Sequence, residues 1–306
     1  MSKIYCIGET VYDIIFKNGQ PVAAKAGGSM LNSSVSMGRM HLPVHFISEY
    51  AADNIGDNID ASLKSANINT QYVFRYADGK TSIAIAFLNE KNDASYTFYK
   101  QLPEKRLDIA FPNVQAGDIV LFGSFYSINE DIRSIVKSFI EKAKAAGALI
   151  IYDPNYRKAH LHELNALKPM ILENMALASL VRGSNEDFEM IFGVQSFEDA
   201  YNKVSEFCKI LVYTENSKGV HVKTPNLQTY SKTRSIIPVS TIGAGDNFNT
   251  GIITGLYKYG IDNGHLNDLS IEQWQQLLLI GIDFASEVCM SYENYISSDF
   301  ANRYQW

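Results

Sequence analysis

Ser240-Thr241-Ile242-Gly243-Ala244-Gly245-Asp246-Asn247-Phe248 reads as a glycine turn entering a helix. The run before it, Arg234 to Val239, is strand-like. Behind it, Phe248, Ile252, Leu256 and Tyr259 recur at helical spacing on one face. Strand, turn and helix in that order make one unit of an α/β sheet. Gly243 and Gly245 let the backbone turn tightly and bring its N–H groups close to a ligand. A helix starting there adds unpaired N–H groups and the positive end of its dipole. Together these form an anion site suited to a phosphate. Asp246 stands in the same first turn. A carboxylate there is by itself more often a helix cap than a catalytic group. Beside backbone donors that suit a phosphate, however, it would face a phosphoryl acceptor and could take the proton from an attacking hydroxyl. The chain contains no Gly-x-x-x-x-Gly-Lys-Ser/Thr and no His-Arg-Asp, and the turn lacks Gly-x-Gly-x-x-Gly. A Walker loop, a protein-kinase catalytic loop and a dinucleotide fingerprint are thereby excluded.

Upstream, the sequence alternates strand and helix. Ile119 to Phe122 predicts a strand, Asp131 to Ala146 a helix, and Ala148 to Tyr152 a strand ending in Asp153-Pro154. Further strands fall at Leu177 to Val181 and Ile210 to Thr214. The alternation predicts a parallel sheet with helices on both faces, which binds ligands at the carboxyl ends of its strands. Asp153, Ser184, Thr214 and Ser240 all fall just past expected strand ends. Nearer the N-terminus, Lys3 to Ile7 reads as a buried strand. Val11 to Phe16 and Pro21 to Lys25 flank Asn18-Gly19, a hairpin signal. Gly27-Gly28 introduces a helix over Ser29 to Met40, with Leu31 and Val35 on one face, and Pro43 to Glu49 is the next strand. A helix over Asn58 to Ala66 leads to a β-rich stretch, Gln71 to Lys100. Within it, Thr81 to Leu88 and Ala94 to Tyr99 are strands and Asn89 to Asp93 a turn. With no linker or repeat between them, these β segments read as an excursion from one main domain, such as a lid.

The 306 residues are 46% hydrophobic, enough for a sizeable core, and 20% charged, which argues against disorder. A net charge of −6 without basic runs argues against nucleic acid as the main partner. No apolar stretch approaches the roughly 20 residues that span a bilayer, and the N-terminus lacks a signal peptide's apolar centre. Cys6, Cys208 and Cys289 are widely spaced and read as free thiols in a reducing cytoplasm. The histidines show no His-x-x-x-His spacing, so no transition-metal site is expected.

The glycine turn closely resembles the C-terminal signature of the ribokinase-like (PfkB) family of sugar kinases, Asp-Thr-x-Gly-Ala-Gly-Asp-x-Phe-x-x-Gly, standing here at Ser240 to Gly251. The family's N-terminal Gly-Gly, followed four residues later by Asn, stands at Gly27, Gly28 and Asn32. Gly8-Glu9-Thr10-Val11-Tyr12-Asp13 and Asp153-Pro154-Asn155-Tyr156-Arg157 resemble fructokinase motifs. The resemblance runs in order along nearly the whole chain. It implies a three-layer αβα core with a central mostly parallel sheet, and a small β-sheet lid from about residues 12–26 and 70–102. It implies ATP-dependent phosphorylation of a sugar, with Asp246 as base, Gly243, Ala244 and Gly245 as anion hole, and Asp13, Gly27, Gly28 and Asn32 on the sugar. Read alone, Asp13 is a strand-end turn and Asn32 a helix cap. Arg157 would approach the phosphates or the sugar, or else form a surface ion pair. Thr214 and Gly219 match a nucleotide loop that in relatives reads Thr-x-Gly-x-x-Gly. The segment Ile282 to Cys289 would line the adenine pocket or form a core helix.

Three departures stand out. The family's magnesium-linked Asn-x-x-Glu is Ser184-Asn185-Glu186-Asp187 here, which leaves Asp187 as the oxygen ligand for magnesium. Ser240 replaces an Asp that contributes to a monovalent-cation site in ribokinase, so a potassium requirement stays open. Asn216 stands where the nucleotide loop has Gly. The lid stretch, Phe87 to Glu90 and Tyr96 to Lys100, looks most like bacterial fructokinases and points to fructose. Ribose, 2-keto-3-deoxygluconate or a nucleoside would use the same base, and a non-catalytic sugar sensor is the reading from another class. The resemblance also implies a homodimer through the lid.

Overall fold

The computed structural model describes residues 2–89 and 94–304. Its centre is a nine-stranded sheet in the order β13-β12-β11-β10-β9-β8-β1-β4-β5. In chain order the first of these strands are β1 (Ile4–Ile7), β4 (Val44–Ala51), β5 (Asn69–Tyr76), β8 (Ile119–Gly123) and β9 (Leu149–Asp153). The remainder are β10 (Leu180–Ser184), β11 (Leu211–Thr214), β12 (Val220–Lys223) and β13 (Gln228–Ser231). Pairing is parallel from β5 through β11, while β12 and β13 add an antiparallel edge. A second sheet, in the order β3-β2-β6-β7, comprises β2 (Val11–Lys17), β3 (Gln20–Gly27), β6 (Lys80–Leu88) and β7 (Ala94–Gln101).

The central strands β1, β8 and β9 are buried along their whole length because both faces are covered. In β1, Ile4 and Cys6 belong to one hydrophobic cluster and Tyr5 and Ile7 to another. The first cluster joins the sheet to helices α1 (Ser29–Arg39), α2 (Asn54–Ser65), α7 (Ala244–Lys258), α8 (Ile271–Cys289) and α9 (Ser298–Arg303). The second joins it to α3 (Arg133–Ala145), α4 (Leu164–Leu177), α5 (Asn185–Phe192) and α6 (Phe197–Val204). The molecule is therefore the three-layer αβα arrangement with a central mostly parallel sheet. Helices α7 and α8 lie very close: a methyl added at Gly251 would sit 2.6 Å from the Gly281 Cα.

The Asn18-Gly19 hairpin forms as expected, with both residues at positive φ (53° and 74°), the geometry that matches strand twist. Strand β5 differs from expectation. It pairs with β4 in the large sheet, so residues 69–76 belong to the core and the small sheet's second half begins at Lys80. The run Arg234 to Val239 is not a strand. It is exposed irregular chain, with Ile237 88% accessible, and it leaves the glycine turn following an antiparallel edge instead of a parallel strand. The strand expected at 177–181 lies at 180–184, because α4 continues through Leu177. Helix α2 begins four residues earlier than expected, at Asn54, where the Asp53 carboxylate caps it. Of the expected turn at 89–93, residues 90–93 lie outside the described residues.

Candidate active site

Asp246 lies in the first turn of α7, just beyond Gly243, which caps the helix in the left-handed conformation at φ 80°. That conformation, and the backbone of Asn294 pressed against the position of a side chain, admit only glycine there. Three predicted residues, Gly243, Ala244 and Gly245, thus form the entry to a 15-residue helix with no side-chain cap. Of its first-turn amides, that of Ala244 donates to the Thr241 carbonyl at 3.3 Å, while those of Gly245 and Asp246 have no intrahelical acceptor and suit an anion.

The base candidate is buried, 6% accessible, and both its oxygens are held from α1. Ser29 Oγ donates to Asp246 Oδ1 at 2.7 Å and Asn32 Nδ2 to Oδ2 at 2.8 Å. Asn155 Nδ2 makes a longer approach to Oδ1, 3.5 Å. Burial raises the pKa of Asp246, and the charge of Asp153 adds to the rise. The donors Asn32 and Ser29 and the positive charge of Arg157 act the other way. The side chain is thus a carboxylate made more basic than an exposed one, yet held in one orientation.

The hold comes from a buried polar stripe on α1. Ser33 Oγ donates to the Asp246 carbonyl, and Ser36 Oγ donates to Asn247 Oδ1. Leu31 and Val35 meanwhile enter the core as expected. Asn32 has a second feature. Its Oδ1 is buried and has no hydrogen-bond partner within the protein, so a donor from water or a ligand would satisfy it. The helix is introduced by Gly27 and Gly28, the latter at φ 136° against the Glu9 carbonyl. Asp13 packs against Gly27, which brings this predicted carboxylate to the foot of the same helix. Burial pushes its pKa up to about 6; Lys25 opposes that rise and Glu9 adds to it.

Behind the base lies a second group of charges. Asp153, wholly buried at the end of β9, accepts from Arg182 Nη1 at 2.8 Å and from Asn249 Nδ2 at 2.6 Å. Arg182 Nη2 donates to Thr214 Oγ1 at 2.8 Å, and its guanidinium lies against Gly245. One arginine therefore links the carboxyl ends of β9, β10 and β11 to the glycine turn. Sequence reasoning missed it, because the strand was expected to end at Val181. The available signal was a cation inside an otherwise apolar run. Ser29 was missed as well, since a serine following two glycines carries no distinctive pattern.

The remaining predicted residues are placed as follows. Arg157 is exposed, and its charge acts on both Asp246 and Tyr96 of the small sheet. Asp187 is a capping residue. It completes a capping box with Ser184, whose N–H and Oγ both donate to Oδ2, while Oδ1 accepts the Tyr156 amide at 2.7 Å. Both its oxygens are engaged and the residue is 4% accessible, so direct coordination of magnesium would have to displace these bonds. Among the described residues, no group of three or more His, Cys, Asp or Glu is arranged to hold a metal. Thr214 and Gly219 bracket a tight loop in which the Glu215 amide donates to the Gly219 carbonyl. Asn216 takes φ 47° there, a conformation that glycine enters freely and asparagine tolerates. Ser240 Oγ accepts from the Ile242 amide and so shapes the entry to the glycine turn. Ile282, Phe284, Val288 and Cys289 are buried on α8 as a core face. Cys6, Cys208 and Cys289 are all free and buried. No helix among the described residues is long and apolar enough to cross a membrane.

Comparison with known proteins places these features in context. The family described as pfkB family carbohydrate kinase matches residues 1–286. A fructokinase of Vibrio alginolyticus is 23% identical over 277 residues, which cover 90% of each chain. Among solved structures, a Vibrio cholerae fructokinase in its fructose, ADP and calcium ion bound form superposes with a TM-score of 0.83 at 22% identity. It covers 96% of this chain and 94% of its own. An aminoimidazole riboside kinase from Salmonella enterica, complexed with aminoimidazole riboside and an ATP analogue, gives 0.82 at 17% identity over 98% of both chains.

Proposed function

The chain belongs to the pfkB family of carbohydrate kinases, and on that premise we propose that it transfers the γ-phosphoryl group of ATP to a primary hydroxyl of fructose, with Asp246 as the base. One observation carries the reading. A buried carboxylate of raised pKa stands in the first turn of a helix whose amides have no cap, with an unpaired Asn32 acceptor beside it.

The roles follow from that geometry. Asp13 and Asn32 Oδ1 accept hydroxyl hydrogens of the sugar, and Arg157 closes the mouth from the other side. The attacking hydroxyl gives its proton to Asp246, its oxygen bonds to the γ-phosphorus, and the bond from that phosphorus to the β-bridging oxygen breaks, releasing ADP. The glycine-turn amides receive the charge that gathers on the transferred group. Arg182, against Gly245, adds a fixed positive charge behind it. Thr214 to Gly219 supports the nucleotide. Magnesium would arrive largely on the phosphates of ATP, as suits an ion that keeps waters and takes few protein ligands. Asp187 fits a role in shaping the 153–157 loop, and no step is assigned to a metal here.

The small sheet acts as the lid. Tyr96 and Phe98 share the pleat face of Asp13 through the pairings Asp13–Ala84–Phe98 and Ala86–Tyr96, so the face toward the sugar is aromatic. Closing it excludes water, so that the sugar and not water attacks. The exposed Phe87 and Tyr99 support pairing of two copies through this sheet. Fructose is favoured by the fructokinase names of the relatives. A riboside substrate is the second reading, favoured by the aminoimidazole riboside kinase superposition. A coupled ADP-release assay with fructose, ribose, 2-keto-3-deoxygluconate and adenosine decides between them. Fructose should give the highest kcat/KM; ATP turnover identical with and without every acceptor would overturn the kinase reading for this chain.

A further inference from the structure

Lys25 projects from β3 of the small sheet but bonds to the main body. Its Nζ donates to the Tyr292 carbonyl at 2.7 Å and to Asn294 Oδ1 at 3.1 Å. The segment it grips is the support of the glycine turn. The Asn294 carbonyl accepts from Asn247 Nδ2 at 2.8 Å, and the same amide group donates to the Gly243 carbonyl at 2.8 Å. Asn294 backbone atoms also lie where a Gly243 side chain would be. Two residues on, the Ile296 amide donates to Ser36 Oγ, which itself donates to Asn247. At its other end Lys25 is the cross-strand partner of Asp13, with Glu293 the further charge acting on it. A line of interactions thus runs from the Asp13 carboxylate, which acts on Lys25 through its charge, through one ammonium group and its hydrogen bonds, to the loop beneath the glycine turn.

We propose that Lys25 is a positioning residue that couples seating of the small sheet over the sugar to ordering of the glycine turn. The inference rests on the kinase reading above. Physically, the ammonium is partly desolvated and has three donors. Two of them are spent on one short segment, which holds that segment at a fixed distance from the sheet. If the sheet lifts, the 292–294 segment loses its only described side-chain tie to β3, and the turn loses its backing. If the sheet seats on a sugar, the turn amides are already aimed when the phosphate arrives. Burial lowers the pKa of Lys25, and the charges of Glu293 and then Asp13 oppose that fall, so the carboxylate proposed to hold the sugar also favours the tie.

The test compares Lys25→Met, which keeps the aliphatic stem, with Lys25→Arg, which keeps the charge and donors. The first readout is amide hydrogen exchange of the free protein over residues 240–250, with peptides from β8 and β9 as the reference for global stability. Lys25→Met should speed exchange at the glycine turn by about tenfold while leaving β8 and β9 unchanged, and Lys25→Arg should restore most of the protection. The second readout is turnover of ATP with fructose. Lys25→Met should lower kcat by about tenfold, more than it changes the KM for ATP. Unchanged exchange at residues 240–250 in Lys25→Met would overturn the coupling, and so would equal acceleration over the whole chain. The exchange experiment needs no turnover, so its failure is distinct from a failure of the kinase reading, which the acceptor panel reports.

Discussion

Helices α7 and α8 pack against one another along their length, yet they begin in opposite ways. Helix α8 starts closed: Ser270 and Gln273 form a capping box, each side chain accepting from the other's amide. Helix α7 starts open, behind a left-handed glycine and with no side-chain cap. Helix α1 repeats the open form behind Gly28, whereas α2, α5, α6 and α9 carry Asp or Ser caps. Relative to a Ser or Asp cap, a glycine at this position forgoes roughly a few tenths of a kcal/mol. The two glycine-led ends converge on Asp246, and that is where the free donors are useful. Helices α3 and α4 also start without a side-chain cap, behind Ile132 and Glu163, so the contrast that substitutions will test is between the glycine-led ends that meet at Asp246 and the ends capped by a side chain.

The largest effect is expected at the open end of α7. Asp246→Asn keeps the shape and the contact with Asn32 but removes the proton acceptor. We expect kcat to fall by roughly 10³-fold, within the range of general-base contributions, while the KM for fructose changes little. A variant retaining near-normal kcat would show that the open turn binds phosphate without housing the base. In the native protein the same carboxylate must be ionised to act. Since burial raises its pKa, activity should fall on the acid side at a higher pH than for an exposed aspartate.

At the foot of α1 the effect is smaller and has two signs. Burial pushes the pKa of Asp13 up from the ordinary 3.8 to about 6. Between those values the folded protein binds the proton more tightly than the unfolded chain does. The stability owed to this group therefore falls as pH rises through that window and stays low above it. Asp13→Asn should thus stabilise the ligand-free protein at pH 8 by on the order of 2 kcal/mol, with the difference vanishing below about pH 4. The same variant should bind fructose at least ~10-fold more weakly, because a charged acceptor of sugar hydroxyls is gone. Denaturation midpoints at both pH values, set beside the fructose KM, check the pair. A variant less stable at pH 8 would show that Asp13 supports the fold and is not held there for a ligand.

The open ends were legible in the sequence where local chemistry alone decides. Glycines before a helical pattern mark them, just as Asn18-Gly19 marks the hairpin. The carboxyl-end positions of Asp153, Ser184 and Thr214 were legible too, because strand alternation sets them. What depends on distant chain was not. Ile236, Ile237 and Val239 have strand propensity, but no ladder partner is at hand, so the segment stays irregular. The apolar run from Leu177 to Val181 fits a helix end or a strand equally well, which hid Arg182. Ser29 and Lys25 take their meaning from Asp246 and Asn294, more than 200 residues away.

The smallest effect tests the closed end. Ser270→Ala removes the acceptor for the Gln273 amide, which Ser270 Oγ holds at 3.3 Å, and leaves in place the return bond from the residue 270 amide to the Gln273 side chain at 2.9 Å. The loss should be about 1 kcal/mol, lowering Tm by roughly 2 °C in a chain of this size. The site should not notice. Ser270 lies at the far end of a 19-residue helix, about 27 Å along its axis from the Cys289 end that meets the approach to the glycine turn. Cys289 makes that contact through its carbonyl, which accepts the amides of Val239 and Ser240. Thermal melts and steady-state kinetics on one preparation separate the two quantities. A lower Tm with unchanged kcat and KM is the expected pattern. A several-fold drop in kcat would mean that α8 transmits strain along its length to the turn, and the division between closed and open ends would then fail where the two helices touch.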